Sequence, residues 1–187
     1  ADMGYRVKLL GVSQMTELGL EQRMTPCLVS SSSPLGQLEG GTNMVILEGQ
    51  DSGQIVLRGA GAGEGPTASA VMSDIIDIAR GQRIDTFGQP ASSLLDAKPA
   101  TATTSAPFYL RLQLLDKPGA LAKIAAIMGK ANISIDRMRQ YGHDADSAPV
   151  LIVTHRTTRT AIDQILTEFS KTKLLGSTPV ALRIESI

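Results

Sequence analysis

A glycine-rich segment at residues 59–71 restricts the fold of this chain more than any other feature. It places glycine at every second position, at Gly59, Gly61, Gly63 and Gly65. The β-branched run before it, residues 54–58, predicts a strand, and residues 71–79 predict a helix with Pro66 in its first turn. A turn with few side chains lets another group approach its backbone N–H groups, and a helix start adds free donors. The pattern predicts a strand–turn–helix corner, which either contacts an anionic or amide ligand or lets the helix and strand pack closely.

The spacing of these glycines differs from that of the two common phosphate-binding motifs. In the dinucleotide fingerprint G-x-G-x-x-G, the third glycine would fall on Glu64 or on Pro66. No Gly-Lys pair follows, as the G-x-x-x-x-G-K loop would require. The corner therefore lacks the signature of a dinucleotide-binding or phosphate-binding loop.

The charge balance argues against polyanionic partners. The chain has 18 basic and 18 acidic residues and a formal net charge of zero, which leaves no electrostatic footprint for nucleic acid or an anionic membrane. Aromatic residues make up 3% of the chain and Trp is absent, so stacking platforms for bases are not expected. No segment approaches the run of about 18 apolar residues that a membrane span requires. We therefore expect neither a nucleic-acid partner nor a membrane.

The single cysteine and the two histidines predict no disulfide and no metal site. One cysteine, Cys27, excludes an internal disulfide and fits a reducing cytoplasm, which is the expected location. Cys27 lies in an alternating run, which predicts a buried structural thiol rather than a nucleophile. His143 and His155 have no partners at the spacing of metal ligands.

Changes in composition predict three segments. Residues 1–81 hold four predicted strands joined by short turns, which indicates an antiparallel or mixed sheet, and end with the helix at 71–79. Residues 82–107 are rich in Pro, Ala, Ser and Thr without sustained periodicity, which predicts a linker. Residues 108–187 form the third segment. The four strands of the first segment are predicted at residues 5–12, 23–30, 43–48 and 54–58.

The third segment has the element order βαββαβ. Apolar residues at i, i+3, i+4 and i+7 predict a helix at 120–128, and a second helix opens at Thr157/Thr158. The order predicts a split βαβ, ferredoxin-like fold, in which two helices cover one face of a four-stranded antiparallel sheet. The fold class of the whole chain is therefore α+β. The strands of this segment are predicted at residues 108–115, 133–140, 149–154 and 179–185.

The motif at the start of the third segment resembles the ACT domain family. Residues 114–125, LLDKPGALAKIA, followed by 132–135, NISI, carry the resemblance. It implies that the turn after the first strand receives an effector amino acid, and it suggests threonine. The alternative is that Pro118 and Gly119 only shape the turn while Asn132 caps the preceding helix. The positions that match the family's effector site are Asp116, Gly119, Ala120, Leu121 and Asn132.

The first segment resembles the back part of bacterial homoserine dehydrogenase. Residues 4–11, 34–35 and 41–43 carry the resemblance together with the glycine-rich segment at 59–71. It implies that the glycine corner lies near the nicotinamide cofactor, NADP or NAD. Gly63 is the main residue that the resemblance places at the cofactor, with Gly61 and Glu64 beside it.

The same resemblance predicts that this chain is a C-terminal portion of such an enzyme. The family begins with a Rossmann domain bearing G-x-G-x-x-G and then supplies a catalytic lysine and acid, and neither motif is found in this sequence. We therefore expect no catalytic residue here, no turnover by the chain alone, and exposed apolar area on the helix at 71–79. The family also implies a homo-oligomer, a dimer or tetramer. The alternative function is a non-enzymatic amino-acid-binding or oligomerisation module.

Overall fold

A computed structural model of the chain describes residues 3–142 and 146–187 and has two compact units. Unit 1 combines Ala1–Gly36 with Lys98–Ile187, and unit 2 is Gln37–Ala97. The units meet at residues 36/37 and 97/98, whereas the predicted domain boundaries follow residues 81 and 107. Those domain boundaries stay a prediction. His143 lies outside the described residues. The elements in chain order are β1 (Tyr5–Thr16), β2 (Gly19–Ser30), β3 (Thr42–Gly49), β4 (Gly53–Ala60), α1 (Glu64–Ala79), a short 3₁₀ helix (Ala91–Ser93), β5 (Phe108–Leu115), α2 (Ala120–Lys130), β6 (Ile135–Gln140), β7 (Ser147–Thr154), α3 (Arg159–Lys171) and β8 (Val180–Glu185).

The predicted βαββαβ fold is confirmed in unit 1. Four strands pair antiparallel in the order β8-β5-β7-β6, and buried side chains alternate along β5 with half-buried ones and the exposed Arg111. Both helices cover the same face of this sheet, because one core cluster joins Leu110 and Leu112 of β5 to Ile124 of α2 and to Ile165 and Phe169 of α3. Thr158 begins α3 as its N-cap, and its hydroxyl accepts a hydrogen bond from the Ala161 N–H at 3.2 Å.

The hairpin formed by β1 and β2 extends this sheet to six strands, in the order β1-β2-β8-β5-β7-β6. Strand β2 pairs in parallel with β8 at Cys27–Arg183, Leu28–Ile184 and Val29–Glu185. The predicted mixed sheet is therefore confirmed for β1 and β2, whereas β3 and β4 form a two-stranded sheet of their own. Cys27 and Val29 are buried on one face of β2 and Leu28 on the other, so β2 carries apolar side chains on both faces.

Cys27 is a free, fully buried thiol, as predicted. It packs with Leu10 and Val29 in a small cluster of its own. Burial is the main influence on this group and raises the pKa of the Cys27 thiol. A protonated, enclosed thiol is a poor nucleophile, which supports a structural role.

Unit 2 has little buried apolar surface. Strands β3 and β4 form a two-stranded antiparallel sheet, and β4 is exposed along its whole length. Helix α1 begins at Glu64, seven residues before the predicted start, with Pro66 in its first turn as predicted, and no residue between Glu64 and Ala79 is buried. The expected exposed apolar area on this helix is confirmed at Val71, Met72, Ile75, Ile76 and Ile78. No helix within the described residues is long and apolar enough to cross a membrane.

Candidate functional site

The glycine corner joins β4 to α1, and Gly63 fixes its direction. Gly63 is the N-cap of α1 with φ +125°, a backbone conformation that L side chains rarely adopt. Its carbonyl accepts the first helical hydrogen bond, from the Thr67 N–H at 3.1 Å. A glycine is therefore required at position 63 for the chain to enter the helix at this angle.

Gly61 has a different role in the same corner. Its N–H donates to the Gly41 carbonyl at 3.3 Å, and a Cβ built there would lie 2.0 Å from the amide nitrogen of Asn43. At position 61 the missing side chain makes room for the Asn43 side chain of β3. A Cβ at Gly59 or Gly65 would meet no atom within 4 Å.

The start of α1 leaves backbone donors at the surface of the corner. Pro66 has no N–H, and the N–H of Thr67 already bonds to Gly63, so the N–H groups of Glu64 and Gly65 remain for another acceptor. Both residues are exposed, and core side chains of the unit do not fill the space beside them. These two N–H groups are available to an anionic or amide group, and the contact of the corner with a ligand stays a prediction. The Glu64 carboxylate lies in the first turn, where the helix dipole favours a negative charge.

The turn between β5 and α2 also presents a helix start. Gly119 is the N-cap of α2 with φ +81°, and a Cβ there would meet nothing within 4 Å. The N–H of Asp116 donates to the Asp146 carbonyl at 2.9 Å, and the N–H of Ala120 donates to the Lys117 carbonyl at 3.0 Å. The first free donors of α2 are therefore the N–H groups of its second and third residues, beginning with Leu121. Of the predicted effector residues, Asp116 and Gly119 are exposed, Leu121 is half-buried and Ala120 is buried.

Asn132 ends α2 rather than facing its start. It has φ +54°, its N–H donates to the Gly129 carbonyl at 3.0 Å, and the Ile133 N–H donates to the Met128 carbonyl at 2.9 Å. This is the Schellman pattern of a helix C-terminus, so the capping role that the sequence left open is what the backbone shows. Gly119 and Asn132 are 13 residues apart, with α2 between them, which is roughly 20 Å at 1.5 Å per residue. The structure therefore does not bring these two residues of one chain together around a small ligand.

Replacing Asn132 separates its backbone role from any role of its side chain. We expect Asn132→Ala to lower the free energy of unfolding by about 1 kcal/mol, because alanine is disfavoured at positive φ. Asn132→Gly should leave stability within about 0.5 kcal/mol of the parent, because glycine tolerates this conformation. Urea denaturation followed by tyrosine fluorescence measures both. Equal loss in the two variants would contradict the capping role.

A charged cluster that the sequence analysis missed joins β2, β8 and the segment before β5. The Arg23 guanidinium pairs with the Glu21 carboxylate and donates to Glu185 Oε1 at 2.7 Å. Arg183 donates to Glu185 Oε1 at 2.7 Å and to the Thr104 carbonyl at 2.6 Å. The Thr104 N–H in turn donates to Glu21 Oε2 at 2.8 Å. Arg23 Nε has no hydrogen-bond partner among the described residues, but the other groups of the cluster pair with one another, so the cluster holds the structure together rather than offering a ligand site.

Glu21 stays ionised in this cluster although it is only 2% exposed. Burial raises the pKa of the Glu21 carboxyl, but the Thr104 hydrogen bonds and the guanidinium groups of Arg23 and Arg183 outweigh it, so that the pKa is lowered overall. The signal in the sequence was the placement of opposite charges two residues apart within two strands, at 21 and 23 and at 183 and 185. Side chains at this spacing share one face of a strand.

Comparisons with known proteins identify two family segments. Residues 1–76 match the family model described as homoserine dehydrogenase, and residues 108–173 match the ACT domain. The chain is 36% identical to a homoserine dehydrogenase of Neisseria gonorrhoeae, with 100% of this chain and 45% of the relative covered. It is 33% identical to one of Pseudomonas aeruginosa, with 99% and 45% covered. The chain therefore spans about 45% of the length of these curated relatives.

Solved structures agree with these matches. A homoserine dehydrogenase from Thiobacillus denitrificans superposes with a TM-score of 0.85 at 29% identity, over 99% of this chain and 43% of that one. A homoserine dehydrogenase from S. aureus, at 20% identity, superposes with a TM-score of 0.63 and supports the fold alone.

Proposed function

The chain belongs to the homoserine dehydrogenase family and carries an ACT domain, and from this premise we propose that it serves, within a whole enzyme, the interconversion of aspartate semialdehyde and homoserine. The observation that carries the proposal is the exposed corner at Gly63, where a strand, a bare turn and a helix start coincide in the segment that matches the family. Because the relatives are more than twice as long, the activity belongs to the complete protein. The cytoplasm is the proposed location, where Cys27 stays reduced.

The residues of the corner fit one edge of a nicotinamide cofactor, NADP or NAD. The cofactor supplies the hydride when bound. Gly63 sets the angle between β4 and α1, and the absent side chains at Gly59 and Gly65 leave the backbone accessible. The N–H groups of Glu64 and Gly65 offer donors to an amide or phosphate oxygen. We propose that this corner orients the cofactor, with Gly61 holding the turn in place through Asn43.

The ACT domain is proposed to sense an amino acid, with threonine as the first candidate. Free N–H groups at the start of α2 suit the carboxylate of such an effector, and Asp116 lies in the adjoining turn, where it can attract the ammonium group. Asn132, at the opposite end of α2, reaches the same effector only from a second copy of the chain. The proposal therefore includes a homo-oligomer in which two copies complete each effector site.

A second candidate function is amino-acid binding or assembly without turnover by this chain alone. Unit 1 has a complete core around fully buried Leu110, Ile124 and Phe169, whereas α1 of unit 2 has no buried residue. The ACT part is therefore equipped to act as a module in its own right.

Complementation tests the enzymatic proposal. We expect the 187-residue chain to give no turnover alone and to restore NADP-dependent homoserine oxidation when mixed with the separately produced N-terminal part of the Neisseria gonorrhoeae relative. Gly63→Ala should lower the restored rate by about tenfold or more, because a strained backbone misplaces the corner.

Gly88→Ala is the matched control, because it places alanine at another positive φ, +68°, in unit 2 but outside the corner, where its Cβ would meet no atom within 4 Å. It should keep the restored rate within about twofold of the parent. Equal rates for Gly63→Ala and Gly88→Ala would contradict the role of the corner. Heat of threonine binding without any restored turnover would favour the second candidate function.

A further inference from the structure

We propose that a groove on the sheet face of unit 1 opposite its helices binds a small carboxylate that has an apolar body and no ammonium group. The groove, called here the outer-face groove, has a volume of about 690 Å³. This falls within the range of roughly 300–1,000 Å³ that is usual for small-molecule sites. It uses none of the residues of the β5–α2 turn, so the inference goes beyond the proposed effector site.

The floor of the outer-face groove is apolar. Leu28 of β2 and Leu151 of β7 are almost fully buried there, and Tyr109 of β5 and Leu182 of β8 lie half-buried between them. Leu28, Tyr109 and Leu182 belong to one cluster on this face. Four strands therefore provide a continuous apolar surface against which a hydrocarbon or aromatic body can pack.

Side chains at the start of β1 form a wall beside this floor. Met3 and Tyr5 pack against the same cluster from the edge of the sheet. The Tyr5 hydroxyl accepts a hydrogen bond from Arg137 of β6 at 2.9 Å, and the Arg137 guanidinium lies 5.6 Å from the centre of the Tyr5 ring. Arg137 therefore holds the Tyr5 side chain through two interactions, and the groove is partly enclosed rather than a flat patch.

Charge identifies the polar end of the ligand. Arg111 lines the groove from the middle of β5, opposite Leu151 and Val180 in the sheet, and is exposed. Among the described residues that line the groove, none is a carboxylate, and Arg111 is the arginine of this face, because Arg6 is paired in register with Val29, whose side chain lies on the other face. A guanidinium fork beside an apolar floor suits a carboxylate, whereas an amino acid would bring an ammonium group that finds no acidic partner among the described lining residues.

The same charges argue against a second copy of the chain as the occupant. Arg139 of β6 pairs with Leu151 in register, which places it on the same face as Arg111. Two-fold symmetry would bring this cationic face against itself, where like charges repel. A small anion pairs with Arg111 and brings no second cationic face close to it.

Methyl NMR of the full 187-residue chain tests the groove with three probes of one shape: 3-phenylpropionate, phenylalanine and 3-phenylpropan-1-ol. We expect 3-phenylpropionate to shift the groove methyl signals in a saturable way and to bind at least about tenfold more tightly than the other two. Arg111→Gln should weaken 3-phenylpropionate by about tenfold or more. The signals to follow are those of Val7, Leu28, Leu151, Val180 and Leu182.

Arg159→Gln is the control, because it removes the same charge from α3, on the helix side of the sheet. It should leave the affinity within about twofold of the parent. Unchanged groove signals, equal binding by the alcohol, or equal affinities in Arg111→Gln and Arg159→Gln would each overturn the proposal. So would groove signals that shift only with protein concentration, which would make the face a contact between copies. The urea midpoint of Arg111→Gln should equal that of the parent, which would show that the variant loses binding without losing its fold.

Discussion

Truncation of Phe169 to alanine is expected to lower the free energy of unfolding of unit 1 by about 3–5 kcal/mol. Phe169 is fully buried on α3, in the cluster that joins both helices to β5 and β7. Removal of the ring loses the free energy gained by burying it away from water. It also leaves a cavity that the rigid neighbouring side chains fill only in part. Because domains are stable by only about 5–15 kcal/mol, this loss is a large share of the total.

Tyrosine fluorescence in a urea titration measures this loss specifically in unit 1. The chain has no Trp, and all three tyrosines, Tyr5, Tyr109 and Tyr141, belong to unit 1. Phe87→Ala is the matched control, because Phe87 is 68% exposed and its truncation should change stability by less than about 0.5 kcal/mol. A cost for Phe169→Ala as small as that for Phe87→Ala would show that α3 does not complete the core.

Replacement of Glu21 by alanine is expected to cost about 3 kcal/mol, through charge rather than packing. The change removes the carboxylate that holds Arg23, and it leaves the Thr104 N–H without its acceptor. Arg23 retains Glu185, whose single shared oxygen already serves Arg183. The largely buried Arg23 guanidinium would then keep only one of its two carboxylate partners. An incompletely paired buried charge destabilises the native state more than an exposed one would.

An exposed ion pair supplies the comparison for Glu21. Asp163 pairs with Arg159 across one turn of α3 with both side chains about half exposed, so Asp163→Ala should cost less than about 0.5 kcal/mol. The double variant Glu21→Leu with Arg23→Met should recover most of the loss, because it removes both charges together. If Glu21→Ala and Asp163→Ala cost the same, the buried cluster contributes no more than a surface pair.

The lowered pKa of Glu21 gives the same cluster a pH signature. A carboxyl with a lower pKa in the folded than in the unfolded state contributes stability above the unfolded pKa, about 4.3 for Glu. That contribution is lost as the pH falls through the folded pKa. Glu21→Gln should therefore lose less stability than the parent between about pH 5 and pH 2. Parallel curves for the two proteins would contradict the lowered pKa.

The helices and strands of the third segment, residues 108–187, could be predicted because the sequence patterns that specify them are local. Apolar side chains at helical spacing in α2 define which face meets the sheet, and β5 alternates over its predicted length. The predicted range of α1 began late, at residue 71, because its large apolar residues begin only at Val71 and the turns before it have no apolar period.

The pairing of β2 with β8 could not be predicted, because alternation within a strand does not specify its neighbour. The apolar run at Cys27–Leu28–Val29 signals burial on both faces but does not identify the strand that pairs with it. The charged cluster depends on the same contact, since Glu21 and Arg183 come together only when β2 lies beside β8. In the glycine corner, the sequence likewise did not show why each glycine is needed. Gly61 leaves space for the Asn43 side chain, whereas Gly63 adopts a positive φ.

The parallel pairing of β2 with β8 can form only late in the synthesis of the protein, because β8 is translated long after β2. More than 150 residues separate Cys27 from Arg183 in the chain, and translation at about 5–20 residues per second needs on the order of 10 s to cover them. During that time the hairpin of β1 and β2 has no neighbour along β2, and the unpaired edge can recruit another nascent chain. Slow ribosomes or a crowded polysome should therefore favour aggregation, which a chaperone that shields β1 and β2 would suppress.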